Sequence, residues 1–245
     1  MMGARGILAQ STVAKLTTKA CGRGVSSALA IILALALLPT AASAAAPKKT
    51  CAQLKGKHLK SGGRAVVVTR VINREAERSG IERVAYVCTS ARSRAWPAGS
   101  ILSEEGEPPG ISVIAGAGNW VVLRYQSTFG LGFSERDSAV NAANGKRFAF
   151  WQLSGGPTNV DGDLLEATKL DSQGRLALIL GTEGKPQHEG EHGPTVTRKV
   201  VGVTPNGERT VLDAAPTASI PTSSLQLVGG IVHWTDGGTE RSAAP

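Results

Sequence analysis

Short runs of β-branched and other apolar residues, separated by glycine, asparagine, aspartate and proline, fill the chain after its first quarter. Almost no segment of this part places apolar residues at the 3.6-residue period of an amphipathic helix. The pattern therefore predicts an all-β protein. The clearest strand candidates are 65–72, 84–88, 119–125, 146–152, 175–180, 198–203, 208–212 and 225–234.

Glycine turns recur at a fixed interval in this pattern. Gly118, Gly174 and Gly230 each lie between two apolar strands, and successive members are 56 residues apart. Two Asn-Gly pairs, at 144–145 and 206–207, follow later in successive units and supply the positive φ angles that tight hairpins need. One unit therefore predicts four antiparallel strands connected as a meander.

The two ends of the patterned region look like incomplete units. Residues 64–96 fit a unit that lacks its first strand, and residues 224–243 fit one that lacks its last strands. Such pieces can complete each other and close a ring, which leaves few free sheet edges. From residue 63 to 243 the pattern resembles the blade repeat of a β-propeller, as in the uncharacterised secreted propeller-like proteins of bacteria. The resemblance implies a β-propeller-like scaffold and no particular chemistry; a β-sandwich of two meander sheets is the alternative fold.

The first 44 residues have the composition of a secretion signal. Residues 1–27 carry four basic and no acidic side chains, and an apolar run of 11 residues follows at 28–38. Small residues up to Ala44 then match a signal-peptidase site. A spanning helix needs about 20 apolar residues, so cleavage after Ala44 is favoured over a retained membrane anchor. We expect secretion to the extracellular space or cell envelope, with no membrane span after cleavage.

The expected organisation is a signal peptide over 1–44, a basic leader over 45–63 and a single all-β repeat domain over 64–245. The full chain has 27 Lys and Arg against 19 Asp and Glu, and removal of the four basic signal residues leaves an excess of only four. We therefore expect no nucleic-acid partner. Much of the excess lies in the leader segment, which is either a solvated arm or a contact for anionic envelope polymers. The basic residues of this stretch are Lys48, Lys49, Lys55, Lys57 and Lys60, with Arg64 directly after the leader.

Two cysteines, Cys51 and Cys88, remain after removal of the signal. Export delivers them to an oxidising compartment in which disulfides persist, so we predict that they form one. The bridge would connect the leader to the strand at 84–88. Two free thiols are the alternative.

Residues 188–192 satisfy the His-Glu-x-x-His pattern of zinc metalloproteases, with His188, Glu189 and His192 in the three defined positions. In those enzymes one helical face holds both imidazoles, and the glutamate activates a metal-bound water. Here glycine and proline interrupt and flank the segment, which disfavours a helix. We therefore predict a solvated loop, and a protein with no catalytic residues, no metal site and no cofactor. A zinc-dependent hydrolase that uses these residues is the alternative function.

The longer loops between the second and third strands of each unit are the expected site of function. They cover 73–82, 127–135 and 181–194, and in a meander repeat they emerge on one face. Phe129 and Phe133 lie in the second loop, where the favoured interpretation is that both rings cap the core rather than contact a ligand. The sequence thus predicts a secreted, non-catalytic domain that binds an unidentified envelope or extracellular partner through these loops. Polyanion or cell-wall binding through the basic leader is a further alternative.

Overall fold

The computed structural model describes residues 49–73, 81–103, 109–130, 132–155, 160–184 and 193–245. The chain divides into two units, Met1–Ala46 and Pro47–Pro245, and every described residue belongs to the second. This described part consists of β-strands with two short 3-10 turns, Cys51–Gln53 and Thr222–Ser224. The prediction of an all-β protein is confirmed. None of the described segments is a helix long and apolar enough to cross a membrane, and the predicted signal peptide lies outside these segments.

The strands form four antiparallel sheets, and in each sheet strands that follow one another in sequence are neighbours. The first sheet contains β1 (Lys57–Leu59), β2 (Val66–Asn73), β3 (Ile81–Cys88) and β4 (Trp96–Ser103). The second contains β5 (Gly110–Ala117), β6 (Trp120–Phe129), β7 (Gly132–Asn141), β8 (Arg147–Gly155) and β9 (Val160–Asp161). The third contains β10 (Leu164–Leu170), β11 (Leu176–Glu183), β12 (Thr195–Val203) and β13 (Arg209–Pro216). The fourth contains β14 (Gln226–Val228), β15 (Ile231–Asp236) and β16 (Thr239–Ala243).

The predicted four-stranded meander is therefore confirmed, with a two-residue fifth strand added to the second sheet. The fourth sheet has three strands, so this unit lacks only its last strand and not, as the sequence predicts, several. The prediction that the first unit lacks its first strand is wrong, because β1 supplies that strand from within the leader. His58 is the register partner of Val68, and Leu59 is the partner of Val67. β1 has three residues, of which only Leu59 is apolar, so an apolar pattern search does not detect it.

The recurring glycines lie where the repeat places them, in the first hairpin turn of the second, third and fourth sheets. Gly118, Gly174 and Gly230 have φ angles of 55°, 87° and 85°. Glycine adopts this left-handed conformation without steric cost. At Gly174 a Cβ atom would also lie 2.3 Å from Cε2 of Trp120. The turn of the third sheet thus packs directly on the second sheet.

Apolar side chains form a separate core between each pair of consecutive sheets. Side chains alternate between the two faces of a strand, so in β6 Val121 and Leu123 face the first sheet while Val122 faces the third. A further cluster joins the third sheet to the fourth, where Ile179 and Trp234 meet. Among the described residues, no core cluster joins the fourth sheet back to the first. This serial packing of small meander sheets is propeller-like.

The outer face of the first sheet is covered by the leader. Cys51 and Cys88 are fully buried and joined by the predicted disulfide, with their Cα atoms 6.3 Å apart. Leu54 packs beside them on Val68. The backbone N–H of Ala52 donates to the carbonyl oxygen of Ala91 at 2.7 Å. The leader from residue 49 to 59 is therefore attached to the sheet, and the interpretation of a solvated arm is wrong for this stretch.

Candidate binding groove

A groove of about 690 Å³ lies where the β3–β4 hairpin of the first sheet meets β7 and β8 of the second. This volume is within the range of small-molecule sites in proteins. Apolar side chains from both sheets share the lining with polar ones. The polar lining residues are Glu82, Tyr86, Ser100, Arg136, Ser138 and Arg147.

Two arginines from the second sheet contact the edge strand β4 across this groove. Nη2 of Arg136 donates to the carbonyl oxygen of Ser100 at 3.3 Å, and Nη1 of Arg147 donates to that of Ala98 at 3.4 Å. Unpaired backbone groups on an edge strand invite pairing with another chain. The arginines cover this edge, and each retains further N–H donors.

Tyr125 lies in the core beneath a bulge in β4, below the groove. The strand has one extra residue opposite Ala85 and Tyr86, and such bulges are frequent at sheet edges and beside functional sites. At Gly99, whose φ is 151°, a Cβ atom would lie 2.8 Å from Oη of Tyr125. Glycine at this position therefore allows the edge strand to close over the phenol.

Two buried polar groups near the groove have no hydrogen-bond partner among the described residues, Nε of the lining residue Arg136 and Oη of Tyr125 in the core below. The guanidinium carbon of Arg136 lies 5.1 Å from the Tyr125 ring centroid. Burial raises the pKa of Tyr125 to about 12, although Arg136 and Arg147 oppose the shift. The hydroxyl therefore stays protonated at neutral pH and can donate a hydrogen bond. The sequence did not predict this groove, because its lining residues come from strands of two sheets that lie far apart in the chain.

A second polar cluster lies between the second and third sheets. Nε and Nη2 of Arg124 donate to the two carboxylate oxygens of Asp137, each at 3.0 Å, and Asp137 is fully buried. Burial raises the pKa of Asp137, and the hydrogen bonds from Arg124 only partly offset it. The hydrogen bonds to Asp137 in turn raise the pKa of Arg124. The two residues are register partners in β6 and β7, so this pair is part of the framework.

Asp163 connects the second sheet to the third just before β10 begins. Nζ of Lys199 lies 2.9 Å from one carboxylate oxygen, and the Thr182 hydroxyl donates to the other at 2.8 Å. Nε1 of Trp151 donates to the Asp163 carbonyl oxygen at 2.7 Å. Burial disfavours ionisation of Asp163, but the bonds from Lys199 and Thr182 outweigh it and lower the pKa of this carboxyl group.

Asp163 should make the free energy of unfolding depend on pH in the acid range. A carboxyl group whose pKa is lower in the folded state stabilises the fold above its unfolded pKa, and this contribution is lost as pH falls through the folded pKa. We expect the stability difference between the wild-type protein and Asp163→Asn to disappear as pH falls below the ordinary value of 3.8. Urea unfolding of the mature protein over a pH series measures this difference. Glu240→Gln, at an exposed position in β16, is the control, and a difference that is constant with pH would contradict the assignment.

The described ends of β6 and β7 show where the two loop phenylalanines lie. Phe133 packs against the core between the second and third sheets. Phe129 is 44% exposed and lies against Gly132. The prediction that both rings cap the core is therefore correct for Phe133 and wrong for Phe129. Most of the other two predicted loops, at 74–80 and 185–192, lies outside the described residues.

The zinc-protease pattern at His188, Glu189 and His192 also lies outside the described residues, so the loop interpretation and the hydrolase alternative both stay predictions. Within the part of the chain that the structure describes, no group of three or more His, Cys, Asp or Glu side chains could hold a metal ion.

Exposed cationic side chains collect around the attached leader. The Ala95 N–H donates to the carbonyl oxygen of Lys49 at 2.9 Å, and Thr50 forms a β-bridge with Arg94. This pairing places the 91–95 turn beside the leader. In the described ranges 49–73 and 81–103 the one carboxylate side chain is Glu82. We call the following exposed residues the basic surface: Lys49, Lys55, Lys57, Lys60, Arg64, Arg92 and Arg94.

No protein-family model matches this chain, and comparison with curated protein sequences finds no significant match. The fold, the groove and the basic surface are therefore the basis for a functional proposal.

Proposed function

We propose that the mature protein is a secreted, non-catalytic binding domain that attaches to an anionic component of the cell envelope or extracellular space. The signal-like N-terminus and the disulfide, which an oxidising compartment preserves, support secretion. The basic surface supports the class of ligand, and it is the observation that carries the proposal.

Attachment of the leader to the first sheet orders the basic surface before a ligand binds. Lys55 and Lys57 adjoin a 3-10 turn that the disulfide fixes, so their backbone is ordered before any ligand binds. A preordered surface loses less conformational entropy on binding than a flexible arm does. Clustered positive charge attracts polyanions and displaces their counterions, and this attraction weakens as salt is added.

A triple variant of the basic surface should bind polyanions poorly. We expect Lys55→Gln, Lys57→Gln and Arg92→Gln together to weaken binding of polyphosphate and polyglutamate by about tenfold or more at low salt, because the screening length is roughly 30 Å at 0.01 M and all three charges act on the polymer. The dissociation constants are measured by fluorescence anisotropy at several salt concentrations. The matched control removes the same charge elsewhere, through Lys169→Gln, Arg209→Gln and Arg241→Gln, at positions that are exposed.

Equal losses in the two triple variants would mean that net charge alone governs binding, which would contradict a specific basic surface. Binding that survives high salt and falls on Phe129→Ser would instead assign the contact to the loop face predicted from the sequence.

A further inference from the structure

We infer that the groove between the first and second sheets is a binding site for an oxyanion group, which is a phosphate, a sulfate or a carboxylate. Arg136 and Arg147 line the groove, and guanidinium groups bind oxyanions through charge-assisted, often bidentate hydrogen bonds. This site is separate from the basic surface, and the inference does not depend on polymer binding there.

The two guanidinium groups are held in place before a ligand binds. Each donates one N–H to a carbonyl oxygen of β4, Arg136 to Ser100 and Arg147 to Ala98. A guanidinium group has five N–H donors, so each arginine keeps donors for a second acceptor. Fixing the donors in advance lowers the conformational cost of capturing an anion.

An unpartnered donor on a lining residue points to the same type of ligand. Nε of Arg136 is buried and has no hydrogen-bond partner among the described residues, although the Arg136 side chain lines the groove. An oxyanion bound to this guanidinium group supplies the acceptor that Nε lacks. The hydroxyl groups of Ser100 and Ser138 add donors to the lining.

Protection of the β4 edge does not explain these features. That role uses one N–H of each arginine and leaves Nε of Arg136 unused. Glu82 lies in the groove lining too, and its negative charge limits how many anionic groups the groove accepts.

The test follows the Arg136 Nε–H resonance of the ¹⁵N-labelled mature protein by NMR during titration with inorganic phosphate, sulfate or acetate at constant ionic strength. We expect a saturable shift of this resonance with at least one of the three anions, and the anion that binds most tightly identifies the class. Arg136→Lys keeps the charge but loses the planar fork, and its affinity, followed through backbone amide shifts, should fall by about tenfold. Arg241→Lys, on the exposed face of β16, should bind like the wild type.

Tyr125→Phe is a control for the core beneath the groove. We expect it to leave anion binding unchanged, because the hydroxyl lies buried beneath Gly99 and does not line the groove. Linear, unsaturated shifts with all three anions would overturn the inference, as would undiminished affinity in Arg136→Lys. The triple variant of the basic surface should retain phosphate binding in the groove, so failure of the polymer proposal and failure of this one give different results.

Discussion

Replacement of both Cys51 and Cys88 by alanine should lower the free energy of unfolding of the mature protein by about 3 to 4 kcal/mol. The disulfide closes a loop with a sequence separation of 37 residues, and in the chain-entropy account a crosslink of this length restricts the unfolded state by that amount. The two sulfurs also lie within an apolar cluster with Leu54 and Val68. Loss of the bridge should therefore release the leader together with β1.

Urea unfolding with and without a reducing agent measures this effect. Cys21 lies in the predicted signal, so the mature protein has no third cysteine, and reduced wild type should match the double variant. The double variant itself should not respond to the reducing agent. An unchanged midpoint in the double variant would show that the leader does not contribute to the cooperative fold.

Replacement of Arg124 by alanine should cost about 3 to 5 kcal/mol of stability at neutral pH, because it leaves the buried carboxylate of Asp137 without its partner. Asp137 is fully buried between the second and third sheets, and its two oxygens depend on the bidentate contact with Arg124. The loss is measured by urea unfolding at pH 7.

This loss should shrink as the pH is lowered. Burial already raises the pKa of Asp137 above its ordinary value of 3.8, and loss of the arginine raises the pKa further. A folded-state pKa above the unfolded one means that the folded state binds more protons, so stability falls as pH rises through that window. Arg124→Met combined with Asp137→Leu should be more stable than Arg124→Ala, because it removes both charges. If Arg124→Ala loses the same amount of stability at pH 5 and at pH 7, the assignment of a buried, ionised Asp137 is contradicted.

Local sequence signals predicted the strands and their meander connections, because the apolar runs and the Asn-Gly turns act within a few residues of each other. The disulfide was also predictable, since Cys51 and Cys88 are the two cysteines beyond the predicted signal. In contrast, β1 was not predictable, because a three-residue edge strand with one apolar residue shows no apolar period. Its position depends on pairing with β2 and on the bridge to Cys88.

The groove could not be predicted from the sequence, because no local pattern marks it. Arg136 meets the edge strand only through a contact 36 residues away in the chain, and Arg147 does so through one 49 residues away. The same holds for the basic surface, in which Arg92 and Arg94 join the leader by tertiary pairing. The distribution of charge along the sequence therefore indicated the basic leader, but not the 91–95 turn that pairs with it.

The serial packing of the sheets has a consequence for how the molecule opens. Three core clusters of the described residues each link one sheet to the next, so cooperativity passes between neighbouring sheets, as in a one-dimensional array. The outer face of the first sheet is covered by the crosslinked leader, whereas the fourth sheet has three strands and a single core cluster. We therefore expect local opening to begin at the fourth sheet, at the opposite end of the array from both proposed binding surfaces.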